Sequence, residues 1–488
     1  MLRAWRRVNL LHCLSCDFST RMFMGSTEAI SADTLLIDLA RHAPIFPVKS
    51  SNISVLHEPC QFYDTLKAGI LKSERRIVMA ALYLGTDRLE RELVDCFESR
   101  LKDCGVDCPL HVHVLLDCIR GSRGTDNSRL MLVPLVKSHM ERMRVSLYHT
   151  PVLNQLFKYI IPEKFNETVG LQHIKIFLFD DDLLVSGANL SESYFTNRQD
   201  RYILIRECPE LGDFCEQLVN AVAAHSYSLQ PDNSLKAGEI DPLSMWTRTQ
   251  FAESFRLSVQ KLIKPKPITD IKADKRLNTD TWIYPFVQMG SYNVRQDQRM
   301  MSELLRHSLP GCRTLLASGY FNLTDDYVNL IMRSQGHYRI LAASPEANGF
   351  LGANGAAGHI PYAYLHIARW FHNRLVCEQQ TSRVLLEEYT RDGWTFHGKG
   401  MWYYLPYDEL PVLTMVGSSN YGYRSVERDL ELQFAIITNN PLLQQELKKE
   451  HEHLFDQASI VTADTFKRPD RQIHWLQSLV TRMIWTYL

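Results

Sequence analysis

A histidine and a lysine stand two residues apart at His173 and Lys175, in LQHIKIFLF, and the same pair returns at His397 and Lys399, in TFHGKGMWYY. In a strand, residues i and i+2 share a face, so each pair sets a proton-carrying ring beside a fixed cation, with Ile174 and Ile176 opposite in the first copy. A single tripeptide of this kind is common and reads as an edge strand with two solvated side chains. Its recurrence inside a recurring context is more restrictive, because it commits the chain to two copies of one fold.

The context does recur. A helical pattern, FYDTLKAGILKSE, runs into a strand-like RRIVMAALYLGT, a charged amphipathic helix, DRLERELVDCFESRLKD, a second apolar strand, VHVLLD, and a glycine-bearing loop, IRGSRGTDNSR. The order returns as DQRMMSELLRHSL, CRTLLASGYFNLT, DDYVNLIMRS, YRILAASP and the loop EANGFLGANGAAGHIP. Each His-x-Lys is followed by a hairpin and a turn of small residues ending in asparagine, Ser186-Gly187-Ala188-Asn189 and Gly417-Ser418-Ser419-Asn420. Eleven residues beyond each asparagine stands an acid, Asp200 or Glu431, opening the apolar runs DRYILI and ELQFAI.

The pattern divides the chain into a leader at 1–27, a first domain at 28–226, a connecting segment at 227–285 that is rich in proline and lysine, a second domain at 286–460 and a C-terminal amphipathic segment at 461–488. The leader has four arginines, Arg3, Arg6, Arg7 and Arg21, against one acid, Asp17, which is the composition of a mitochondrial transit peptide. In the C-terminal segment Ile473, Leu476, Val480, Met483 and Ile484 form one helical stripe, with Trp475, Trp485 and Tyr487 as interfacial aromatics; such a face lies on a membrane surface or docks on the core.

Composition excludes more than it assigns. A net charge of -1 gives no overall basic field for nucleic acid. No apolar run reaches the roughly 18 residues of a membrane-spanning helix, so membrane attachment is expected to be peripheral. The eleven cysteines are scattered, and Cys13 and Cys16 lack a second pair to complete a zinc site. GSRGTDNS lacks the ending of a phosphate-binding P-loop, and the glycines at 349, 352, 355 and 358 miss dinucleotide spacing, so both stretches read as rim loops.

If the copies pack about a pseudo-twofold axis, one site receives two histidines and two lysines. Two imidazoles divide the labour of displacement at phosphorus: one attacks, and the other, protonated, serves the leaving group. Lys175, Lys399, Asn189 and Asn420 would surround a phosphoryl group with donors. A nucleophilic imidazole must have its other nitrogen held by an acceptor, and Asp200 and Glu431 are the candidates. Arg198, Arg201, Arg424 and Arg428 lie near the asparagine turns, where an acceptor's phosphate would want them.

His173, Lys175 and Asp180 complete HxKxxxxD, and with the asparagine turn this resembles the phospholipase D superfamily; in the second copy the aspartate's position holds Tyr404. Within that superfamily, ALYLGT, RGSRGTDNSR, QHIKIFLFDDDLLVSGANLSESYFTNRQDRY, ASGYFNLT, ASPEANGF, FHGKGMWYYLP and GSSNYGYRSVERDLE are similar to the eukaryotic mitochondrial phosphatidylglycerophosphate synthases. The resemblance implies an α/β fold of two phospholipase D-like domains, each a mixed sheet flanked by helices, with the site at the pseudo-twofold interface. It implies catalytic roles for His173, Lys175, Asp180, His397 and Lys399, CDP-diacylglycerol and glycerol-3-phosphate as substrates, peripheral contact with the mitochondrial inner membrane, and no cofactor, resident metal or nucleic acid. By analogy His173 would attack, although the residues leave the two histidines interchangeable. The same His/Lys set also serves phosphodiester hydrolases, and a non-catalytic lipid-binding scaffold would keep the fold.

Overall fold

The computed structural model describes Leu35 and residues 38–105, 108–152, 170–244, 246–265, 279–353, 358–473 and 475–487. The leader expected at 1–27 lies outside them.

Strands that are apolar along their whole length need both faces covered, and these have it. In Arg76–Ala80, Ile77 and Met79 face helices Pro59–Lys72 and Arg88–Asp103, while Val78 and Ala80 face inward to a core shared with the second half. In Lys399–Tyr404 the alternation repeats: Met401 and Tyr403 pack outward, Trp402 and Tyr404 inward. The shared core, with Ile174, Ile176 and Val185 from one sheet and Trp402, Val416 and Phe434 from the other, joins the halves face to face.

The two mixed sheets follow one plan. In the first, Arg76–Ala80, His111–Asp117 and Met143–Tyr148 run parallel, and Ile176–Phe179, Asp182–Ser186, Tyr202–Ile205 and Ile53–Leu56 continue antiparallel from Arg76–Ala80. In the second, Arg313–Ser318, His337–Ala343 and Val384–Tyr389 are parallel, followed by Lys399–Tyr404, Leu413–Gly417, Leu430–Thr438 and Thr281–Met289 on the antiparallel side.

Two expectations about boundaries shift. Both ends of the supposed connection at 227–285 belong to sheets: Tyr227–Leu229 and Leu235–Lys236 extend the first, and Thr281–Met289 lies within the second. Between them helix Arg248–Leu262 buries Phe251, Phe255 and Val259 in the shared core. Early in the chain, Phe46–Val48 crosses to pair with Thr281–Ile283 of the second sheet. A proline- and lysine-rich composition marked the middle of the stretch and concealed the apolar strands at its ends.

The C-terminal segment is docked. Helix Trp475–Ile484 runs beside Ile360–Cys377, where Ser478 Oγ meets His366 Nδ1 at 3.1 Å. Trp485 meets Trp370 edge-on at 5.1 Å, and the Trp485 carbonyl accepts from Asn322 Nδ2 at 3.0 Å. Leu479 and Tyr487 stay exposed.

Candidate active site

The histidine of each half is held by the other half. Leu171 to His173 pairs with the start of strand Leu430–Thr438: Leu430 N–H donates to the Leu171 carbonyl at 2.8 Å, and His173 N–H donates to the Leu430 carbonyl at 2.9 Å. Across the pseudo-twofold, Thr395 and Phe396 pair in parallel with Arg198 and Gln199, and His397 N–H donates to the Gln199 carbonyl at 2.8 Å. His173 therefore precedes strand Ile176–Phe179 and His397 precedes Lys399–Tyr404, so the expected placement of both histidines within strands moves to the strand entrances. Leaving its own sheet frees each segment to pair with the opposite one.

That exchange decides which acid meets which ring. His173 Nδ1 donates to Glu431 Oε2 at 2.9 Å, and His397 Nδ1 donates to Asp200 Oδ2 at 2.6 Å. Ser425 Oγ secures the other Glu431 oxygen at 2.7 Å, and the Arg201 N–H donates to Asp200 Oδ1 at 2.8 Å. With Nδ1 occupied, Nε2 of His173 is the ring nitrogen left for chemistry, while Lys399 Nζ stands 2.9 Å from Nε2 of His397. Each lysine ammonium bonds back to its own histidine carbonyl, Lys175 at 2.7 Å and Lys399 at 3.0 Å. Gly187 lets the halves meet, since a β-carbon there would stand 2.9 Å from the Gly417 carbonyl and 3.1 Å from Lys399 Cδ.

Burial dominates the electrostatics. It lowers the proton affinity of both imidazoles, further for His397, where Lys399 and Arg198 add repulsion. It pushes Asp200 up to about 6 against the pull of Lys399. Burial also opposes charge on Glu431, but His173 and Lys175 outweigh it and hold this carboxyl below its ordinary range. Both lysines are pushed toward neutrality, Lys399 to about 8. Desolvated cations packed this closely form a site tuned for a multiply charged anion.

Asn189 and Asn420 flank this centre. Asn189 Nδ2 donates to Tyr194 Oη at 3.1 Å, and both asparagine Oδ1 atoms are buried without a partner. Tyr194 and Tyr320 present their rings edge-on to His397 at 5.0 and 5.4 Å. Tyr320 stacks on Tyr364 and touches Phe350 of the glycine-rich loop, so this loop does reach the rim. Beside it, a narrow apolar cleft is lined by Gly319, Phe321, Ala343, Pro361, Tyr364 and Leu365.

Asp180 is not at the centre. It sits at the far end of strand Ile176–Phe179 with φ 52°, and its carboxylate accepts the backbone N–H groups of Glu74, Arg75 and Arg76 at 2.8, 2.8 and 3.0 Å. Its work is to fasten the entry to strand Arg76–Ala80, so the catalytic role expected for it is withdrawn. This also explains the second copy. Tyr404 pairs with Arg313 as Asp180 faces Arg76, and the Arg313 guanidinium stacks 4.3 Å from the Tyr404 ring centroid, so an aromatic contact replaces the carboxylate.

The arginines separate. Arg201 is buried: its Nε and Nη2 meet Glu450 at 2.8 Å each, Nη1 donates to the Met415 carbonyl at 2.6 Å, and the guanidinium lies 3.8 Å from the Trp402 ring centroid. It ties the halves together and has no face for substrate. Arg428 donates to the Thr486 carbonyl at 2.7 Å and stacks on Tyr487. Arg424 pairs with Asp429 at 3.1 Å, and Arg198 remains beside His397.

Asp297 went unnoticed in the sequence. Buried in the first turn of helix Gln296–Arg306, it has one oxygen without a partner, and burial with nearby Glu431 raises it to about 7. A lone acid in a helical run carries no spacing signal, and only the fold brings it under Glu431. Among the described residues no group of three or more His, Cys, Asp or Glu side chains is arranged to hold a metal ion.

No family model matches the chain. A protein of Homo sapiens named CDP-diacylglycerol–glycerol-3-phosphate 3-phosphatidyltransferase, mitochondrial, is 45% identical over 466 residues, covering 90% of this chain and 84% of its own. The protein of that name from Gallus gallus is 45% identical over 469 residues, and a probable CDP-diacylglycerol–glycerol-3-phosphate 3-phosphatidyltransferase of Dictyostelium discoideum is 36% identical over 478. The crystal structure of phosphatidylserine synthase from Haemophilus influenzae Rd KW20 superposes with a TM-score of 0.70 over 93% of this chain and 97% of that one; at 18% identity the likeness is one of fold.

Proposed function

We infer the activity from one premise: the chain belongs to the CDP-diacylglycerol–glycerol-3-phosphate 3-phosphatidyltransferase family, sharing 45% identity with a human member over 90% of its length. It is a mitochondrial enzyme that moves the phosphatidyl group from CDP-diacylglycerol to glycerol-3-phosphate. The products are phosphatidylglycerophosphate and CMP, the first committed to phosphatidylglycerol and cardiolipin.

We propose that the two histidines carry the transfer in two displacements. The observation behind this reading is the exchange of acids, which gives each ring an Nδ1 donor bond to a carboxylate of the opposite half and so leaves Nε2 as the nitrogen that no carboxylate holds. His173 Nε2 attacks the phosphorus bearing the diacylglycerol, and the bond to the CMP oxygen breaks as that oxygen takes a proton from His397. The acceptor hydroxyl then gives its proton to His397 while its oxygen attacks, and the N–P bond to His173 breaks. Lys175, Lys399, Asn189 and Asn420 steady the non-bridging oxygens. Burial and the nearby cations favour neutral His397, and the negative diphosphate raises its proton affinity as the donor enters, which is when an acid is needed.

The two halves divide at the passage from Leu235–Lys236 to Thr281–Met289, each with one sheet. We also propose that the enzyme works peripherally on the inner membrane. No helix among the described residues is long and apolar enough to cross a bilayer, and Leu479 and Tyr487 of the docked C-terminal segment are exposed beside basic Arg482.

The test is to incubate the purified enzyme with CDP-diacylglycerol labelled in the phosphatidyl phosphate, quench without acceptor, and map the acid-labile label. The expected result is label on His173 in wild type and none in His173→Ala. Label on His397 reverses the two roles, and CMP release into phosphatidic acid at the full rate with glycerol-3-phosphate present argues for a hydrolase.

A further inference from the structure

The pseudo-twofold relates residues of opposite charge at one position beside the centre. Nine residues beyond Asn189 is Arg198, and nine beyond Asn420 is Asp429. Each bonds the residue two before the opposite histidine, in opposite senses: Arg198 Nε donates to Thr395 Oγ1 at 2.9 Å, and Asp429 Oδ1 accepts the Leu171 backbone N–H at 3.0 Å. Their charges are handled differently. Asp429 is balanced by Arg424 at 3.1 Å. Arg198 has no carboxylate within 4 Å among the described residues, although it is half-buried; its guanidinium lies 4.6 Å from the Tyr194 ring centroid, and the Gly349 backbone crosses so closely that a β-carbon there would stand 2.8 Å from Nη2.

A half-buried guanidinium under a ring and a loop, without a counterion, is costly, and an anion that arrives there completes it. The anion is not the phosphoryl group in transfer, which the two His/Lys pairs and the two asparagines already surround. It is a second phosphate, on the His397 side only, because the matching position on the His173 side is a neutralised acid.

We propose that Arg198 forms a phosphate-monoester site on the leaving-group side of the centre, and that this site holds the phosphate of the acceptor while its hydroxyl reaches His397. The inference rests on the transfer reading above and deepens it: Arg198, although part of the first half, lies on the His397 side of the centre, where CMP leaves and glycerol-3-phosphate enters. Both are phosphate monoesters, so the same chemistry could serve the departing CMP. In the second displacement the acceptor oxygen forms its bond to phosphorus, the N–P bond to His173 breaks, the proton passes to His397, and Arg198 keeps the distant phosphate still. Discrimination against glycerol then comes from one guanidinium that stays without its anion when glycerol binds.

The test compares acceptors in wild type, Arg198→Gln and Arg198→Lys at saturating CDP-diacylglycerol. Rates are taken against glycerol-3-phosphate, against glycerol, and for CMP release without acceptor. For Arg198→Gln, kcat/KM for glycerol-3-phosphate is expected to fall about 30-fold, the scale of a charge-assisted pair, mostly through KM, and Arg198→Lys to recover part of it. The loss with glycerol should be roughly tenfold smaller, since glycerol has no phosphate to hold. Equal losses with both acceptors overturn the site, as does an unchanged KM for glycerol-3-phosphate. A defect confined to CMP release assigns Arg198 to the donor and overturns the acceptor assignment. If Arg198→Gln folds poorly, the thermal shift caused by glycerol-3-phosphate in Arg198→Lys decides: a shift equal to wild type overturns the site, a smaller one supports it. A wild type that ignores glycerol-3-phosphate overturns the transfer reading and the site together, whereas one that uses it with Arg198→Gln unaffected overturns the site alone.

Discussion

His173 Nδ1 donates to Glu431 Oε2 at 2.9 Å although 258 residues separate them, and the bond crosses from one half of the molecule to the other. Glu431→Gln keeps the shape and replaces the accepting carboxylate by an amide, so the ring loses the partner that fixes its tautomer. Turnover is expected to fall by about 10³–10⁴, the scale seen when the acid behind a catalytic histidine becomes an amide. Asp200→Asn should act likewise on His397. Single-turnover rates with folded protein check this, and a loss under tenfold in either variant would reduce the acids to packing.

Asp180 makes the opposite prediction. Its carboxylate serves three backbone N–H groups at the start of strand Arg76–Ala80, away from the histidines. Asp180→Asn still tolerates the left-handed turn but loses the charge, so stability should drop by about 1–3 kcal/mol while turnover per folded molecule stays near wild type. Denaturant melts and active-site titration separate the two effects.

Arg201 and Glu450 form a buried pair, with Trp402 Nε1 also donating to Glu450 at 2.9 Å. Glu450→Gln strands a guanidinium between the halves and should cost about 3–5 kcal/mol. A double variant, Arg201→Met with Glu450→Leu, should regain part of that. Urea midpoints for the single and double variants give the comparison.

Asp297 sets a pH dependence. A carboxyl raised to about 7 in the folded protein keeps its proton over a range where the unfolded chain has lost it. Its contribution is therefore intact below the unfolded value of about 4 and is lost as pH climbs from there through about 7. Asp297→Asn removes the titration, so the variant should gain on wild type by about 2–4 kcal/mol between pH 4 and pH 8. Parallel stability curves would mean that Asp297 is already ionised in the folded state.

The doubled His-x-Lys, the asparagine turns and the acids eleven residues on are periodic features, and spacing carries such features in the sequence. The two-sheet α/β architecture was legible for the same reason, since apolar strands and amphipathic helices return in one order. Partnership across the pseudo-twofold was not legible, because equal spacing cannot tell whether Glu431 serves His397 or His173. Arg201 and Arg198 stand three residues apart with the same side chain; only burial against Trp402 and Glu450 separates a tie between halves from a cation facing the centre. Asp180 misled because a motif records co-occurrence, and a residue that fastens the strand behind the histidine recurs as faithfully as one that reacts.

The exchanged segments have a consequence for the chain as it is made. Until Leu430 is present there is no strand for residues 171–173 to pair with, and until Glu431 follows it the first imidazole has no acceptor behind it. A half-finished polypeptide thus carries an unarmed histidine. On the two-histidine reading proposed above, the chain cannot begin to cleave an activated lipid before it also holds His397, which passes the lipid on, and synthesis through Glu431 works as its safety catch.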